Sequence, residues 1–232
     1  MFTTLNTTPE ASRSPGRKIV SERIEYKNTG FYTSRLLSRK KDNGKYIARF
    51  IRECRVPVIL PESEITRRFK YRILLNTLIR YASASLTDIA FYDPTGEISC
   101  IFPLAAEKFR TVWLVSESDI YDSLNENLLS TVGTCAVRKQ KLTDAGGADI
   151  IISSKRLAFV SSPYVFGEYG WFVENCEPVF PCGFPDIPEY ADIYSAAAGV
   201  QEYLGEKEAA KGYCRQLSCG HTKMPAESFF NK

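Results

Sequence analysis

Short apolar runs alternate with amphipathic stretches along the chain from residue 86 to residue 154. The apolar runs are Asp88–Tyr92, Thr111–Val115, Cys135–Val137 and Asp149–Ile152. Stretches of helical periodicity cover 103–109 and 120–132. Parallel strands covered by helices on both faces have near-continuous apolar sequences, as these runs do. The alternation therefore predicts a β-α-β-α-β half of a parallel sheet.

The N-terminal third predicts two helices and a short strand. The spacing of apolar residues predicts one helix over about 44–54 and a second that is capped by Ser63 and ends near residue 83. Between them, the apolar run Val56–Leu60 contains Pro57, which favours a strand at the edge of a sheet. The second helix has one apolar stripe, and the rest of its surface is basic. Its basic residues are Arg67, Arg68, Lys70, Arg72 and Arg80.

The pattern after residue 154 is less regular. Leu157–Val160 is a further candidate strand, and 190–204 predicts a helix that ends at Gly205. The segment 161–188 is rich in aromatic residues, glycine and proline. Two interpretations of this segment stay open, because it could line a pocket or interface or could supply ordinary core.

The composition is that of a globular protein. The chain has 232 residues, of which 44% are hydrophobic and 25% charged, enough to bury a normal core. Its start lacks the basic and apolar segments of a secretory signal, and no apolar stretch reaches the roughly 18 residues that span a bilayer. Seven cysteines at irregular spacing favour reduced thiols. We therefore expect a soluble, cytoplasmic protein.

Neither a metal site nor a hydrolase triad is expected. The nearest approach to a zinc-ligand set consists of Cys176, Cys182, Cys214, Cys219 and His221. The spacing of these residues lacks the CxxC pairs of zinc sites. His221 is the only histidine, and the chain contains no G-x-S-x-G nucleophile elbow.

Charge is distributed unevenly along the chain. Residues 1–80 contain 18 Lys and Arg against 7 Asp and Glu, a net charge of +11. Residues 81–232 contain 12 against 20, a net charge of −8. A basic region can bind nucleic acid or another polyanion by releasing counterions from phosphates. The alternative is a solvated basic face, or a basic layer that docks on the acidic remainder.

One stretch carries most of the candidate chemistry. The first strand of the predicted sheet is followed by Asp93-Pro-Thr-Gly96, and the second by Ser116 and Glu117. This arrangement resembles the first β-α-β unit of NAD(P)-binding Rossmann domains of the shikimate dehydrogenase and glutamyl-tRNA reductase type. The segment 148–154 resembles the strand that follows the second helix in those families. The resemblance covers residues 86–154.

The resemblance implies NAD or NADP as cofactor, with its diphosphate over a glycine-rich turn. Only the central glycine of the G-x-G-x-x-G motif is present, as Gly96, and Pro94 and Ser99 occupy the places of the other two. Glu117 lies 21 positions after Gly96, a spacing compatible with the acid that binds ribose hydroxyls. A surface acid after a strand is the other interpretation of Glu117.

The implied activity is an NAD(P)-dependent oxidoreduction. The alternative is a non-catalytic relative that has lost cofactor binding. Lys155 or Arg156 is expected to face the cleft over the sheet, and Lys155 is the implied catalytic residue. The implied cofactor-binding residues are Asp93, Thr95, Gly96, Glu117 and Ser153.

Two further interpretations of the motif at 93–96 stay open. Asp93 after an apolar strand also resembles the nucleophile of haloacid-dehalogenase-like phosphotransferases. Ser116 would then bind phosphate, and the lysine of that family would be Lys139, Lys141 or Lys155. Alternatively, the motif is a type I β-turn with no ligand, since Asp, Pro and Gly are favoured at its first, second and fourth positions.

The predicted fold class is α/β, a Rossmann-like parallel sheet with a basic helical and mixed N-terminal region. The expected segments are a flexible tail over 1–20, the basic region over 21–84, the Rossmann-like domain over 85–205 and a C-terminal tail over 206–232. The expected partners are a small-molecule or nucleotide ligand, or nucleic acid at the basic region, and no membrane.

Overall fold

The structure is a computed structural model in which the chain divides into two compact units. The first unit consists of Met1–Phe69 with Pro178–Gly212, and the second of Lys70–Glu177 with Tyr213–Lys232. The structure describes residues 1–7, 18–26, 29–38, 43–82, 86–145, 147–157, 164–177, 184–206 and 211–230.

The first unit contains a four-stranded mixed sheet. Its strands are β1 (Thr3–Asn6), β2 (Lys18–Tyr26), β3 (Thr29–Leu37) and β4 (Val58–Ile59). Their order is β2-β3-β1-β4, with β2 antiparallel to β3 and with β1 parallel to both β3 and β4. The strand predicted around Pro57 is therefore confirmed, at the edge of this sheet.

The helices predicted in the N-terminal third are also present. They are α1 (Gly44–Glu53) and α2 (Glu64–Tyr81), and the division between the units falls within α2. The Ser63 hydroxyl accepts a hydrogen bond from the backbone N–H of Thr66 (3.4 Å), as expected of a helix cap. None of the residues of α1 is buried.

Residues 1–7 depart from the predicted flexible tail, because β1 lies inside the sheet. Phe2 and Leu5 are buried, and the Phe2 ring stacks on that of Phe31 with centroids 4.7 Å apart. A Cβ on Gly199, in α5 (Ile193–Leu204), would overlap the Phe2 ring, so glycine allows the close approach. A Thr-rich start has the composition of a tail, but threonine also favours strands when pairing partners are present.

The second unit contains the predicted parallel sheet. Its strands are β5 (Asp88–Tyr92), β6 (Thr111–Val115), β7 (Val137–Arg138), β8 (Ile150–Ser153) and β9 (Tyr164–Phe166). All pairs are parallel and the order is β7-β6-β5-β8-β9, which puts β5 in the centre. A short 3-10 turn leads into α3 (Phe102–Lys108), which precedes β6, and α4 (Ile120–Thr131) precedes β7. The α/β class and the parallel sheet are confirmed.

The end of the chain departs from the predicted C-terminal tail. Three antiparallel strands, β10 (Phe172–Glu177), β11 (Tyr213–Cys219) and β12 (Thr222–Pro225), form a second sheet in this unit, followed by α6 (Ala226–Phe230). Cys214 and Leu217 on β11 are fully buried. The apolar pattern around these two residues is short, and the segment forms a strand because it pairs with β10, which is distant in sequence.

Two other expectations concern the segments around residues 157–205. The helix predicted over 190–204 is α5, which ends at Gly205 in the left-handed region (φ 71°). The strand predicted over 157–160 falls mostly outside the described residues, which end at 157 before resuming at 164. No helix in the described parts of the chain is both long and apolar enough to cross a membrane.

Candidate functional site at the carboxyl edge of the parallel sheet

The turn after β5 is organised around the carboxylate of Asp93, which is fully buried. Its Oδ1 accepts hydrogen bonds from the backbone N–H of Glu97 (3.1 Å) and the hydroxyl of Ser154 (2.7 Å). Its Oδ2 accepts from the backbone N–H of Ile98 (2.9 Å) and the hydroxyl of Tyr121 (2.6 Å). The carboxylate therefore occupies the centre of the turn.

Gly96 is required by the tertiary packing of this turn. Its φ of +80° lies in the left-handed region, which disfavours residues with a Cβ. A Cβ would also lie 2.7 Å from Ser118 Oγ and 2.8 Å from Ile120 Cγ2. The glycine that the resemblance assigned to a cofactor thus has a structural reason that involves no ligand.

The turn does not fit the diphosphate of NAD or NADP. A diphosphate in such a turn binds to backbone amides that point into the space above it. Here the amides of Glu97 and Ile98 are already bound to Asp93, and Pro94 has no amide to offer. A diphosphate would also have to approach the buried negative charge of Asp93.

The same contacts oppose the phosphotransferase alternative. A nucleophilic aspartate must present an oxygen to the phosphorus atom of its substrate. Both oxygens of Asp93 are enclosed by donors, and the residue has no exposed surface. The β-turn interpretation of the motif is the one that these contacts favour.

Two of the predicted site residues, Thr95 and Lys155, bind the carboxylate of Glu97, a residue that was not predicted as part of the site, and a third, Ser153, binds the main chain of Lys155. Lys155 Nζ forms an ion pair with its carboxylate, and the Thr95 hydroxyl donates to the same oxygen (2.9 Å). The Ser153 hydroxyl donates to the carbonyl of Lys155 (2.5 Å) and accepts its N–H (3.2 Å). The structure therefore brings Asp93, Thr95, Ser153 and Lys155 together, with their polar groups bonded to one another or to Glu97.

Two buried tyrosines support the same turn. The Tyr121 hydroxyl donates to Asp93, and the Tyr71 hydroxyl donates to the carbonyl of Ser153 (3.0 Å). Burial raises the pKa of both phenols well above the ordinary value, and the negative charge of Asp93 adds to this shift. Both phenols therefore act as neutral hydrogen-bond donors at physiological pH.

A cavity of about 850 Å³ lies over the carboxyl ends of β5, β6 and β7, and Pro94 of the turn is part of its wall. Glu117 is an exposed residue on its wall, separate from the cluster around Asp93. Basic, polar and apolar side chains contribute to the remaining lining. These residues are Tyr92, Pro94, Val115, Ser116, Arg138, Lys139, Gln140, Lys141, Leu142, Thr143, Arg156 and Leu157.

Four cationic side chains line this cavity, and they differ in the groups that they contact. Arg138 binds the carboxylate of Asp122 (2.5 Å) and the carbonyl of Ser116 (3.1 Å). The Lys139 ammonium lies 5.8 Å from the centre of the Trp113 ring. Among the described residues, Lys141 and Arg156 have no ion-pair partner.

This cationic cluster was not predicted as a binding site, although Arg156 was expected to face the cleft as an alternative to Lys155. Lys139 and Lys141 were considered only for the phosphotransferase alternative. The available signal was the basic run 138–141 directly after a strand of a parallel sheet, where ligands of open α/β sheets bind. Arg156, which follows β8, joins these residues only through the order of the strands.

The basic surface predicted on α2 is less open than expected. Arg67, Lys70 and Arg72 are only partly exposed. Arg68 is paired with Glu64 (2.5 Å), and the guanidinium of Arg80 lies 4.0 Å from the centre of the Tyr213 ring. Arg68 and Arg80 are exposed, but these contacts occupy their guanidinium groups, which leaves the basic side chains of α2 less free than those of a solvated face.

The described residues include no group of three or more His, Cys, Asp or Glu that could hold a metal ion. The class of protein that the fold defines is a mixed α/β protein with a five-stranded parallel sheet. No family model, curated protein or solved structure matches the chain. The function must therefore be argued from the residues at the carboxyl edge of the sheet.

Proposed function

We propose that the second unit is a Rossmann-like module that binds a small anionic ligand in the cavity of about 850 Å³. The support for a Rossmann-like assignment is the strand order, in which the first strand along the chain is central, flanked by the second and third on one side and the later strands on the other. In such sheets ligands lie beyond the carboxyl ends of the strands, where this cavity is.

The observation that carries the proposal is that Lys141 and Arg156 have no ion-pair partner in the part of the chain that the structure describes. An anion between them would reduce the repulsion among the cationic side chains of the cavity and would gain two charge-assisted hydrogen bonds. The apolar wall residues Val115, Leu142 and Leu157 would contact a less polar part of the ligand. The cavity volume is that of a site for a ligand of nucleotide or metabolite size.

This proposal favours a relative that has lost dinucleotide binding over an NAD(P)-dependent oxidoreductase. The reason is the closed turn, in which Asp93 holds the amides that a diphosphate needs. Lys155, the residue implied for catalysis, is paired with Glu97 beside that turn. Glu117 keeps its interpretation as an acceptor for ligand hydroxyls, because it lies on the cavity wall.

A thermal-shift titration with AMP, inorganic phosphate, NADPH and uncharged adenosine tests the proposal. We expect AMP and phosphate at millimolar concentration to raise the Tm, adenosine to have no effect, and the shift to shrink as ionic strength increases. Lys141→Ala and Arg156→Ala should each abolish most of the shift. The matched control is Lys108→Ala, at an exposed lysine of α3 at the other end of the sheet. A shift that survives both cavity substitutions would refute the proposal, as would the absence of any shift.

A second candidate function is binding of nucleic acid or another polyanion by the basic N-terminal region. The observation in its favour is on α1 rather than α2, because α1 buries no residue and exposes Lys45, Arg49 and Arg52. Binding to a DNA or RNA duplex should weaken steeply between about 50 and 200 mM salt, as about six phosphate contacts would require. Alanine at these three positions should abolish it, and retention of binding would exclude α1.

A further inference from the structure

The turn around Asp93 holds a negative charge with neutral donors only. Two backbone amides and two hydroxyls contact the carboxylate, and among the described residues no lysine or arginine does so. The nearby cation, Lys155, is paired with Glu97 instead. Converging amides and hydroxyls in a buried space are the arrangement by which proteins bind oxyanions.

The number of donors equals what the carboxylate can accept. An ionised carboxylate has about four acceptor positions on its two oxygens. Each oxygen of Asp93 accepts one amide and one hydroxyl, so every position is used. No position is left for a substrate, and no donor is left for a second anion.

Two of the four donors, the hydroxyls of Tyr121 and Ser154, are positioned by elements outside the turn, and the other two are main-chain N–H groups of the turn itself. Tyr121 is on α4, and Ser154 follows β8. The main chain of the turn is fixed separately, because the Ser116 hydroxyl donates to the carbonyl of Asp93 (2.5 Å) and the Asp93 N–H donates to the carbonyl of Val115 (3.0 Å). The four donors should therefore remain close together when the carboxylate is removed.

From these observations we infer that the turn is an oxyanion-binding site whose anion is supplied by the chain itself. In the native protein the side chain of Asp93 is that anion, and when this side chain is removed the ligand class that the four donors accept is a small carboxylate. This site is independent of the proposed cavity site, because it involves none of the cationic side chains there. Its test therefore succeeds or fails separately from that of the proposed function.

Chemical rescue of Asp93→Gly in the full chain tests this inference, since acetate replaces the atoms that the substitution removes. We expect the substitution to lower the Tm by about 10 °C, given the loss of a fully bonded buried charge in a protein of this size. Acetate should restore several degrees in a saturable manner, because a ligand of the folded state stabilises it by mass action. Acetamide, which has the same shape and no charge, should restore much less.

Controls separate rescue from general salt effects. The native protein and Asp119→Ala, at an exposed aspartate, should gain nothing from acetate beyond the effect of chloride at equal ionic strength. If acetate stabilises all three proteins equally, or fails to stabilise Asp93→Gly, the inference is wrong.

If Asp93→Gly does not fold alone, two measurements still decide the question. Refolding in acetate and in acetamide should give folded protein only with acetate, and equal yields would contradict the inference. Asp93→Asn keeps the shape without the charge and turns an amide N–H₂ toward the donors. We expect Asp93→Asn to have a lower Tm than the native protein. If the two Tm values are equal, no anion is needed in this turn and the inference is wrong.

Discussion

Two regions at the carboxyl edge of the parallel sheet, the turn after β5 and the cavity, differ in how their charged groups are balanced. In the turn after β5, the anion Asp93 is part of the chain, and four neutral donors surround it in a space that has no exposure. In the cavity over β5, β6 and β7, Lys141 and Arg156 have no ion-pair partner among the described residues. One region is electrostatically complete without a ligand, and the other is not.

This difference separates what the fold provides from what the sequence does with it. A parallel sheet of this strand order brings loops and polar groups together at the carboxyl ends of its strands. Single residues decide whether a site there is occupied by a side chain of the protein or by a ligand from solution. One aspartate completes the turn after β5, whereas Lys141 and Arg156 at the cavity have no ion-pair partner in the described parts of the chain, and we propose that an external anion takes that place.

The largest effect that the comparison predicts is that of Asp93→Ala on stability. The substitution leaves two amides and two hydroxyls buried without an acceptor, so the free energy of unfolding should fall by about 4 kcal/mol. Urea unfolding followed by circular dichroism measures it. Asp119→Ala is the matched control, because this aspartate makes no side-chain capping bond to α4, and it should cost less than about 1 kcal/mol. If both substitutions lower the free energy of unfolding equally, the buried carboxylate of Asp93 contributes no more to stability than the exposed one of Asp119.

Gly96→Ala should lower the free energy of unfolding by about 3 kcal/mol. Its two causes are the left-handed backbone (φ +80°) and the approach of a Cβ to Ser118 and Ile120. Gly133→Ala isolates the first cause, because Gly133 has a φ of +76° and no atom within 4 Å of its Cβ position. We expect that control to cost about 1 kcal/mol. If the two variants unfold at the same urea concentration, the packing argument for Gly96 is incorrect.

Tyr121→Phe removes one of the four donors and should lower the free energy of unfolding by about 2 kcal/mol, the usual value for a hydrogen bond to a charged group. Tyr169→Phe provides the control, because Tyr169 is 61% exposed. Equilibrium unfolding at neutral pH compares the two variants. A cost for Tyr121→Phe no greater than that for Tyr169→Phe would show that the remaining three donors suffice.

Stability should also fall at alkaline pH because of the buried phenols. The pKa of Tyr121 is raised in the folded protein, so above about pH 10 the unfolded chain releases this proton while the folded chain keeps it. The folded state then binds more protons, and its stability decreases by about 1.4 kcal/mol per pH unit for each such tyrosine. Urea unfolding from pH 9 to pH 11 should show this slope, reduced in Tyr121→Phe and unchanged in Tyr169→Phe. A slope that does not depend on Tyr121 would contradict its burial in the protonated form.

The smallest effect on stability is expected in the cavity. Lys141→Ala and Arg156→Ala should change the free energy of unfolding by less than about 0.5 kcal/mol, because among the described residues these cations have no ion-pair partner to lose. The same variants should lose most of the thermal shift caused by AMP or phosphate. A large loss of stability without added anion would show that the cavity, like the turn, is completed from within the chain.

The sequence was sufficient for β5 to β8 and for the helices between them because their signals are local. The strands at 88–92 and 111–115 are continuous apolar runs, and the structure has them at those residues. The sequence predicted neither the strands β1, β2 and β3 of the first unit nor β9 to β12 and α6 of the second. Among these, β1 and β11 are defined by pairing with strands distant in sequence. Local composition therefore favoured tails at both ends of the chain.

For the candidate site, the sequence by itself determined that Asp93 and Gly96 lie in a tight turn at the carboxyl end of a strand, because Asp, Pro and Gly have strong local preferences. Only the tertiary structure decided what the carboxylate contacts. Ser154 and Tyr121 reach it from a strand end and a helix that are 61 and 28 positions away. Hydrogen bonding depends on distances of about 3 Å, which the arrangement of the strands sets and the spacing of residues along the chain does not.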